Sequence, residues 1–168
     1  ALKSHEDVFD ALVVGIPEDA IMLDPVGAYD FYSGSIHNGI YETLTAFPPG
    51  RVDEIVPGVA ESWEISDDGL TYTFTIADGH TFSTGRPVTA ADAAFTLNRI
   101  RHYKGNPAFL LDNLDTIEAV DDKTLVITQK EVDPSLLARL AFTSFGIIDS
   151  EEAKAHGATD AEDAAKFA

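Results

Sequence analysis

A mixed α/β fold of the α+β kind is predicted by three features of the sequence. Two stretches, around 63–76 and 117–127, alternate apolar and polar residues about Asp-rich turns, the signature of β-hairpins. Segments with helical spacing and helix-start residues are interleaved with them, which argues against a regular βαβ array. Apolar residues make up 45% of 168 positions, enough for a core in a single domain of ordinary size.

The elements follow in order. Ala11-Leu12-Val13-Val14-Gly15-Ile16 is a short apolar run that reads as a buried strand, and Leu23-Asp24-Pro25 is a turn signal. Tyr29, Tyr32, Ile36, Ile40 and Leu44 recur at helical spacing and predict a helix over 30–44, before Pro48-Pro49-Gly50 breaks the chain. Trp63 and Ile65, then Tyr72, Phe74 and Ile76, form the arms of a hairpin about Ser66-Asp67-Asp68-Gly69. Asp78-Gly79 is a second turn and Pro87 a further break. Thr89-Ala90-Ala91-Asp92 resembles a capping box with Asp in the Glu position, opening a helix to about Arg101. Ile117–Val120 and Thr124–Ile127 flank Asp121-Asp122-Lys123 as the second hairpin. Asp133-Pro134 starts a short helix bearing Leu136, Leu137 and Leu140. Phe145-Gly146-Ile147-Ile148 reads as a strand, and a weakly apolar helical tail runs from Ser150, broken at Gly157. No repeat or low-complexity linker interrupts the chain.

Charge narrows the function. Eleven Lys and Arg against 29 Asp and Glu give a net charge of -18, which would repel nucleic-acid phosphates and anionic membrane surfaces. The excess fits a solvated surface in saline surroundings or an attraction for cationic partners. With no Cys, oxidising and reducing compartments both stay open. No run approaches the roughly 18 apolar residues of a membrane span. The start, Ala1-Leu2-Lys3-Ser4-His5-Glu6-Asp7, lacks an apolar signal segment and an initiator Met, so a mature or trimmed chain is expected.

No catalytic signature emerges. Gly34-Ser35-Ile36-His37-Asn38-Gly39 has the outer glycines of a phosphate loop, but Ile40-Tyr41 stand where Lys-Ser/Thr would be needed. His5, His37, His80, His102 and His156 show no short ligand spacing. Asp67-Asp68-Gly69, Asp112-Asn113-Leu114-Asp115 and Asp121-Asp122 do not match a twelve-residue calcium loop and read as turns. There is no Gly-x-Ser-x-Gly elbow. The carboxylates leave an acid/base pair open but single none out. No metal or cofactor is expected.

The order of segments carries more. Leu23-Asp24-Pro25 is followed by Ile40-Tyr41-Glu42-Thr43-Leu44, then Val56-Pro57-Gly58-Val59-Ala60-Glu61-Ser62-Trp63, Ser66-Asp67-Asp68-Gly69-Leu70-Thr71-Tyr72-Thr73-Phe74, Asp78-Gly79, Phe82, Gly85-Arg86-Pro87-Val88-Thr89-Ala90-Ala91-Asp92 and Phe95. This series, from about Leu12 to Ile148, resembles the N-terminal part of family 5 extracellular solute-binding proteins, the peptide/nickel-type receptors of ABC importers. Two departures, Ala77 where a basic residue is common and Ser83-Thr84-Gly85 for His-Asp-Gly, fall at solvent-facing positions.

The resemblance implies the N-terminal portion of a two-lobed, type II periplasmic-binding-protein-like fold. In it, 1–46 would open the first lobe, 47–148 would form the family's extra N-terminal subdomain, and 149–168 would lead back to the first lobe. It implies capture of an oligopeptide- or dipeptide-like solute in an interlobe cleft, delivery to ABC permease subunits, and no enzymatic activity. A monomer in the periplasm or outside the cell is expected, with a lipid anchor left open. Family members are considerably longer, so the chain is expected to be a fragment with weak ligand affinity of its own. Tyr29, Asp30, Ser33 and Gly34 match a cleft-facing loop, Phe109 a ligand-facing aromatic, and Ser144 lies near an Arg that the nickel branch uses on its chelate. Absence of that Arg argues against a nickel chelate. An acidic hydrolase with paired carboxylates and a stand-alone interaction module remain the competing classes.

Overall fold

A computed structural model describes residues 15–161. Its centre is a four-stranded antiparallel sheet of order β3-β4-β6-β5, made by β3 (Ala60–Ile65), β4 (Thr71–Ile76), β5 (Leu114–Ala119) and β6 (Thr124–Gln129). A two-stranded ribbon pairs β1 (Thr45–Ala46) with β2 (Val56–Pro57). The helices are α1 (Phe31–Ile40), α2 (Ala90–Tyr103), α3 (Leu136–Leu140) and α4 (Ser150–Ala155), with 3-10 turns at Asn106–Leu111 and Thr143–Phe145.

Both hairpins form where the alternation places them. Their register aligns Trp63, Phe74, Leu125 and Ala119 in one row and Ile65, Tyr72, Ile127 and Ile117 in the next. Period two then sends both rows toward the same face. Tyr72, Phe74, Ile76, Leu125 and Ile127 are buried, whereas Trp63 is half-buried and Ile65 exposed, because β3 is an edge strand. The turns are built by side chains bonding their own backbone. Asp68 Oδ1 accepts from Leu70 N–H (3.0 Å), and Asp121 Oδ1 from the N–H groups of Lys123 and Thr124 (both 2.8 Å).

Gly69 sits at φ +72° in the first turn. Gly69→Ala would force a Cβ into a left-handed conformation and is expected to cost about 1–2 kcal/mol, read as a lower urea midpoint.

Helix α2 packs on β5 and β6 and is buried along most of its length, including Ala93, Phe95, Leu97 and Ile100. The expected box opens it: the Asp92 carboxylate accepts from the N–H (2.9 Å) and hydroxyl (2.8 Å) of Thr89.

Four expectations are corrected or displaced. The helix over 30–44 ends at Ile40. Leu44 matches the helical spacing yet enters the core as extended chain, because the Thr43 and Leu44 carbonyls accept from Val59 (2.9 Å), Gly58 (3.2 Å) and Ala60 (3.0 Å). Residues 145–148 are not a strand. Ile147 N–H does reach Glu42 O (2.8 Å), but Ile148 N–H is taken by the Thr96 hydroxyl (3.2 Å), so no ladder extends. The expected opening strand at 11–16 falls almost wholly outside the described residues, and only 150–155 of the expected tail is described as helix.

Candidate functional site

Sequence reasoning singled out residues from three parts of the chain, and the start of α1 organises them. Asp30 is the N-cap: Oδ1 accepts from the N–H groups of Tyr32 (3.1 Å) and Ser33 (2.8 Å). Hydrogen bonding from Ser33, and to a lesser degree from Tyr32, holds the Asp30 carboxyl below its usual range, so it is ionised at neutral pH. Tyr29 stands immediately before this cap, and the residue is 44% exposed.

Gly34, one turn into α1, faces Thr143. A Cβ there would stand 3.2 Å from Thr143 Oγ1, so the glycine lets α1 lie against the 143–145 turn. Ser144 fastens that turn from below, its hydroxyl donating to Ala28 O (2.7 Å). Ser33 is fully buried, and its hydroxyl oxygen accepts from the N–H groups of Ile21 (3.0 Å) and Met22 (3.3 Å). Ser33 and Ser144 thus spend their hydroxyls inward, shaping the surface.

The rings make the surface. Phe109, on the Asn106–Leu111 turn, meets Tyr29 edge-on at 5.5 Å, and Phe142 lies 5.7 Å from Tyr29 with its ring tilted by 35°. All three stay exposed, Phe109 at 54% and Phe142 at 43%. Tyr29, Asp30, Gly34 and Ser144 line one open depression together with Phe31, Phe142 and Thr143, and Phe109 joins it through Tyr29. Phe142 was not anticipated. Two Phe flank Ala-free Thr143-Ser144 in the sequence, and only Phe145, the buried one, was read for structure.

Beneath the depression the 21–28 segment is tied from two helices. Arg99, buried on α2, grips Asp24 bidentately (2.8 and 2.7 Å), and Asp24 Oδ1 also accepts from Val26 N–H (3.0 Å). From α1, His37 Nε2 lies 3.2 Å from Met22 O, and the Tyr41 hydroxyl, just past the helix, donates to Leu23 O (3.2 Å). The glycine-flanked stretch at 34–39, which mimics a phosphate loop, is therefore helical, with its imidazole turned inward. The described histidines have separate partners: Met22 O, Glu42, Asp160 O and Glu152. Among the described residues no three His, Asp or Glu gather as a metal site would need, and no helix is long and apolar enough to cross a membrane.

The Asp30 Oδ1 is used by the cap, whereas its Oδ2 is buried and has no hydrogen-bond partner among the described residues. The depression presents exposed aromatic rings, a surface suited to apolar groups.

Comparison with known proteins bears on the same region. The sequence model of bacterial extracellular solute-binding proteins, family 5 (middle), matches residues 54–166. A probable peptide ABC transporter periplasmic-binding protein of Sinorhizobium fredii is 32% identical over 81% of this chain and 25% of its own length. The solved structure of MoaA from A. tumefaciens R10 in complex with mannopinic acid matches with a TM-score of 0.77 and 34% identity, over 83% of this chain and 29% of that one. DppA of Helicobacter pylori in complex with the peptide STSA matches with a TM-score of 0.68 and 29% identity, over 79% and 30%. The chain therefore spans between a quarter and a third of the length of these relatives.

Proposed function

Since the chain belongs to the family 5 bacterial extracellular solute-binding proteins, we propose that it supplies part of one wall of a solute-binding cleft in an ABC importer's receptor. The observation that carries this reading is the exposed ring cluster of Tyr29, Phe109 and Phe142. Three rings left half-open to water by a protein that buries Phe74, Phe95 and Phe145 are surface kept available for a ligand. The solute class is a short peptide or a comparably small polar molecule, in line with the peptide and mannopinic acid held by the two solved neighbours. Under this reading 1–46 opens the first lobe, 47–148 forms an added subdomain and 149–168 returns to the lobe. The receptor works in the periplasm or outside the cell, and closure on solute presents it to the permease.

Binding is favoured over hydrolysis by the family to which the chain belongs and by its relatives, which are named as binding proteins.

Equilibrium dialysis of the whole receptor against di- to tetrapeptides tests the reading. Tyr29→Ala and Phe142→Ala are each expected to weaken solute binding about tenfold, the equivalent of losing one aromatic contact, while leaving thermal stability nearly unchanged. Unaltered affinity in both variants, or no bound solute at all, would remove this surface from the cleft.

A further inference from the structure

The described Lys and Arg residues fall into two groups. Arg51, Arg86, Arg99, Lys123 and Arg139 each pair with a carboxylate, and Lys154 lies over the Phe95 ring at 4.7 Å. The other three, Arg101, Lys104 and Lys130, make no ion pair with any described carboxylate, and all three line the same open cavity. In a chain where 29 acids outnumber 11 bases, carboxylate partners are abundant, so cations gathered without them are informative. Cations outnumber carboxylates along this cavity, whose acidic members are Asp112 and Asp115.

Two of the cations are held in place by neutral backbone. Arg101 Nη1 donates to Asp115 O (2.9 Å), and Lys130 Nζ donates to Asp112 O (2.7 Å). Carbonyls orient these groups without cancelling their charge. Lys104 is the C-cap of α2 at φ +57°, the only non-glycine with positive φ among the described residues. Glycine is the usual occupant of that conformation, and a side chain there carries a conformational cost. The helix dipole favours cations at this end, but it does not account for Lys130, which follows β6.

The cavity adjoins the ring cluster, because Phe109 lines it and also packs on Tyr29. We propose that Arg101, Lys104 and Lys130 form an anion-binding subsite that receives the carboxylate of a solute whose apolar part rests on Phe109 and Tyr29. This rests on the reading of the ring cluster as solute-facing, and it narrows the solute class to molecules with a free carboxylate. The chemistry is charge-assisted hydrogen bonding from two cations held by backbone carbonyls and from the Lys104 ammonium, reinforced by the aromatic face beside them.

The test compares N-acetylphenylalanine with its neutral amide by calorimetry on the whole receptor, in wild type and in a Lys104→Gln/Lys130→Gln variant. Both lysines are exposed, so the variant is expected to fold normally, and Lys130→Arg should retain binding. The carboxylate probe is expected to bind about tenfold more tightly than the amide, the equivalent of one charge-assisted contact, with that advantage lost in the double variant. Inorganic phosphate should compete with the carboxylate probe and not with the amide. Equal affinity for the two probes, no binding of either, or an advantage that survives the double substitution would overturn the proposal. The two readings separate cleanly. Peptide binding indifferent to the lysine substitutions removes the subsite and keeps the receptor. Carboxylate binding abolished by those substitutions, in a protein that takes no peptide, keeps the anion site and removes the peptide-receptor reading.

Discussion

Replacing Arg86 by Met is expected to lower the unfolding free energy by about 3–5 kcal/mol at neutral pH, the range for removing one partner of a buried ion pair. The Arg86 guanidinium joins the beginnings of two helices. It contacts both Asp92 oxygens, with Nη1 donating to Oδ2 at 3.0 Å, and donates to Asp149 Oδ1 from Nε (3.0 Å) and Nη2 (2.7 Å). Asp92 opens α2 and is fully buried, while Asp149 caps α4 through the N–H groups of Glu151 and Glu152. Ser150 adds to the bond between them, donating to Asp92 from its N–H (3.0 Å) and hydroxyl (2.6 Å). Met keeps an apolar stem but gives up the guanidinium that stands 5.0 Å over the Phe82 ring, so the measured loss would report the ion pairs together with this cation–π contact. Urea denaturation at pH 7 checks it, and a loss below about 1 kcal/mol would place this network among weak surface pairs.

The same network sets the direction of the pH dependence. Burial alone would raise the Asp149 carboxyl, but hydrogen bonds from Arg86, Thr84 and Glu152 bring it from 3.8 to about 2. At Asp92 burial again pushes upward, and the donors from Arg86, Ser150 and Thr89 outweigh it. Folded-state values below the unfolded ones contribute stability above about pH 4 that is lost as pH falls toward 2. In Arg86→Met the principal downward influence is gone and burial dominates at Asp92. A carboxyl raised on folding opposes folding as pH rises, so the difference between wild type and variant should shrink from pH 7 to pH 3. A constant difference across that range would contradict this account.

Legibility of the fold divided along the range of the interactions involved. The hairpins and the α2 start depend on neighbours in sequence, and Asp68, Asp121 and the Thr89–Asp92 box show the needed chemistry within a few residues. The end of α1 and the 145–148 segment depend on partners far away. Leu44 is drawn out of helical geometry by Gly58–Ala60, and Ile148 is satisfied by a hydroxyl on α2. Neither partner can be inferred from spacing. The candidate surface was partly visible because Tyr29, Asp30 and Gly34 lie in one short stretch, whereas its closure by Phe142 and its neighbouring cations at 101, 104 and 130 require the fold to bring them together.

Asp24→Ala is expected to be the other severe substitution, destabilising by about 3 kcal/mol and weakening solute binding at the same time. Arg99 is buried in the middle of α2, and Asp24 supplies its bidentate carboxylate from the segment leading to Tyr29. Removing that carboxylate takes a bidentate ion pair away from a buried guanidinium, the costly half of breaking such a pair. The figure lies at the low end of the usual range because the Asp24 side chain is 31% exposed, which lets water reach the broken pair. The substitution also deletes the acceptor for Val26 N–H, which shapes the turn before Ala28 and Tyr29. Stability and affinity should therefore fall together, unlike Tyr29→Ala, which should affect affinity alone. A double variant, Asp24→Leu with Arg99→Met, separates charge from architecture. With both charges gone, buried apolar replacements should restore most of the lost stability. Solute affinity should stay low if the turn itself positions Tyr29. Full recovery of both quantities would show that the broken ion pair in Asp24→Ala, and not a loss of the geometry that Asp24 imposes on 24–29, causes the damage.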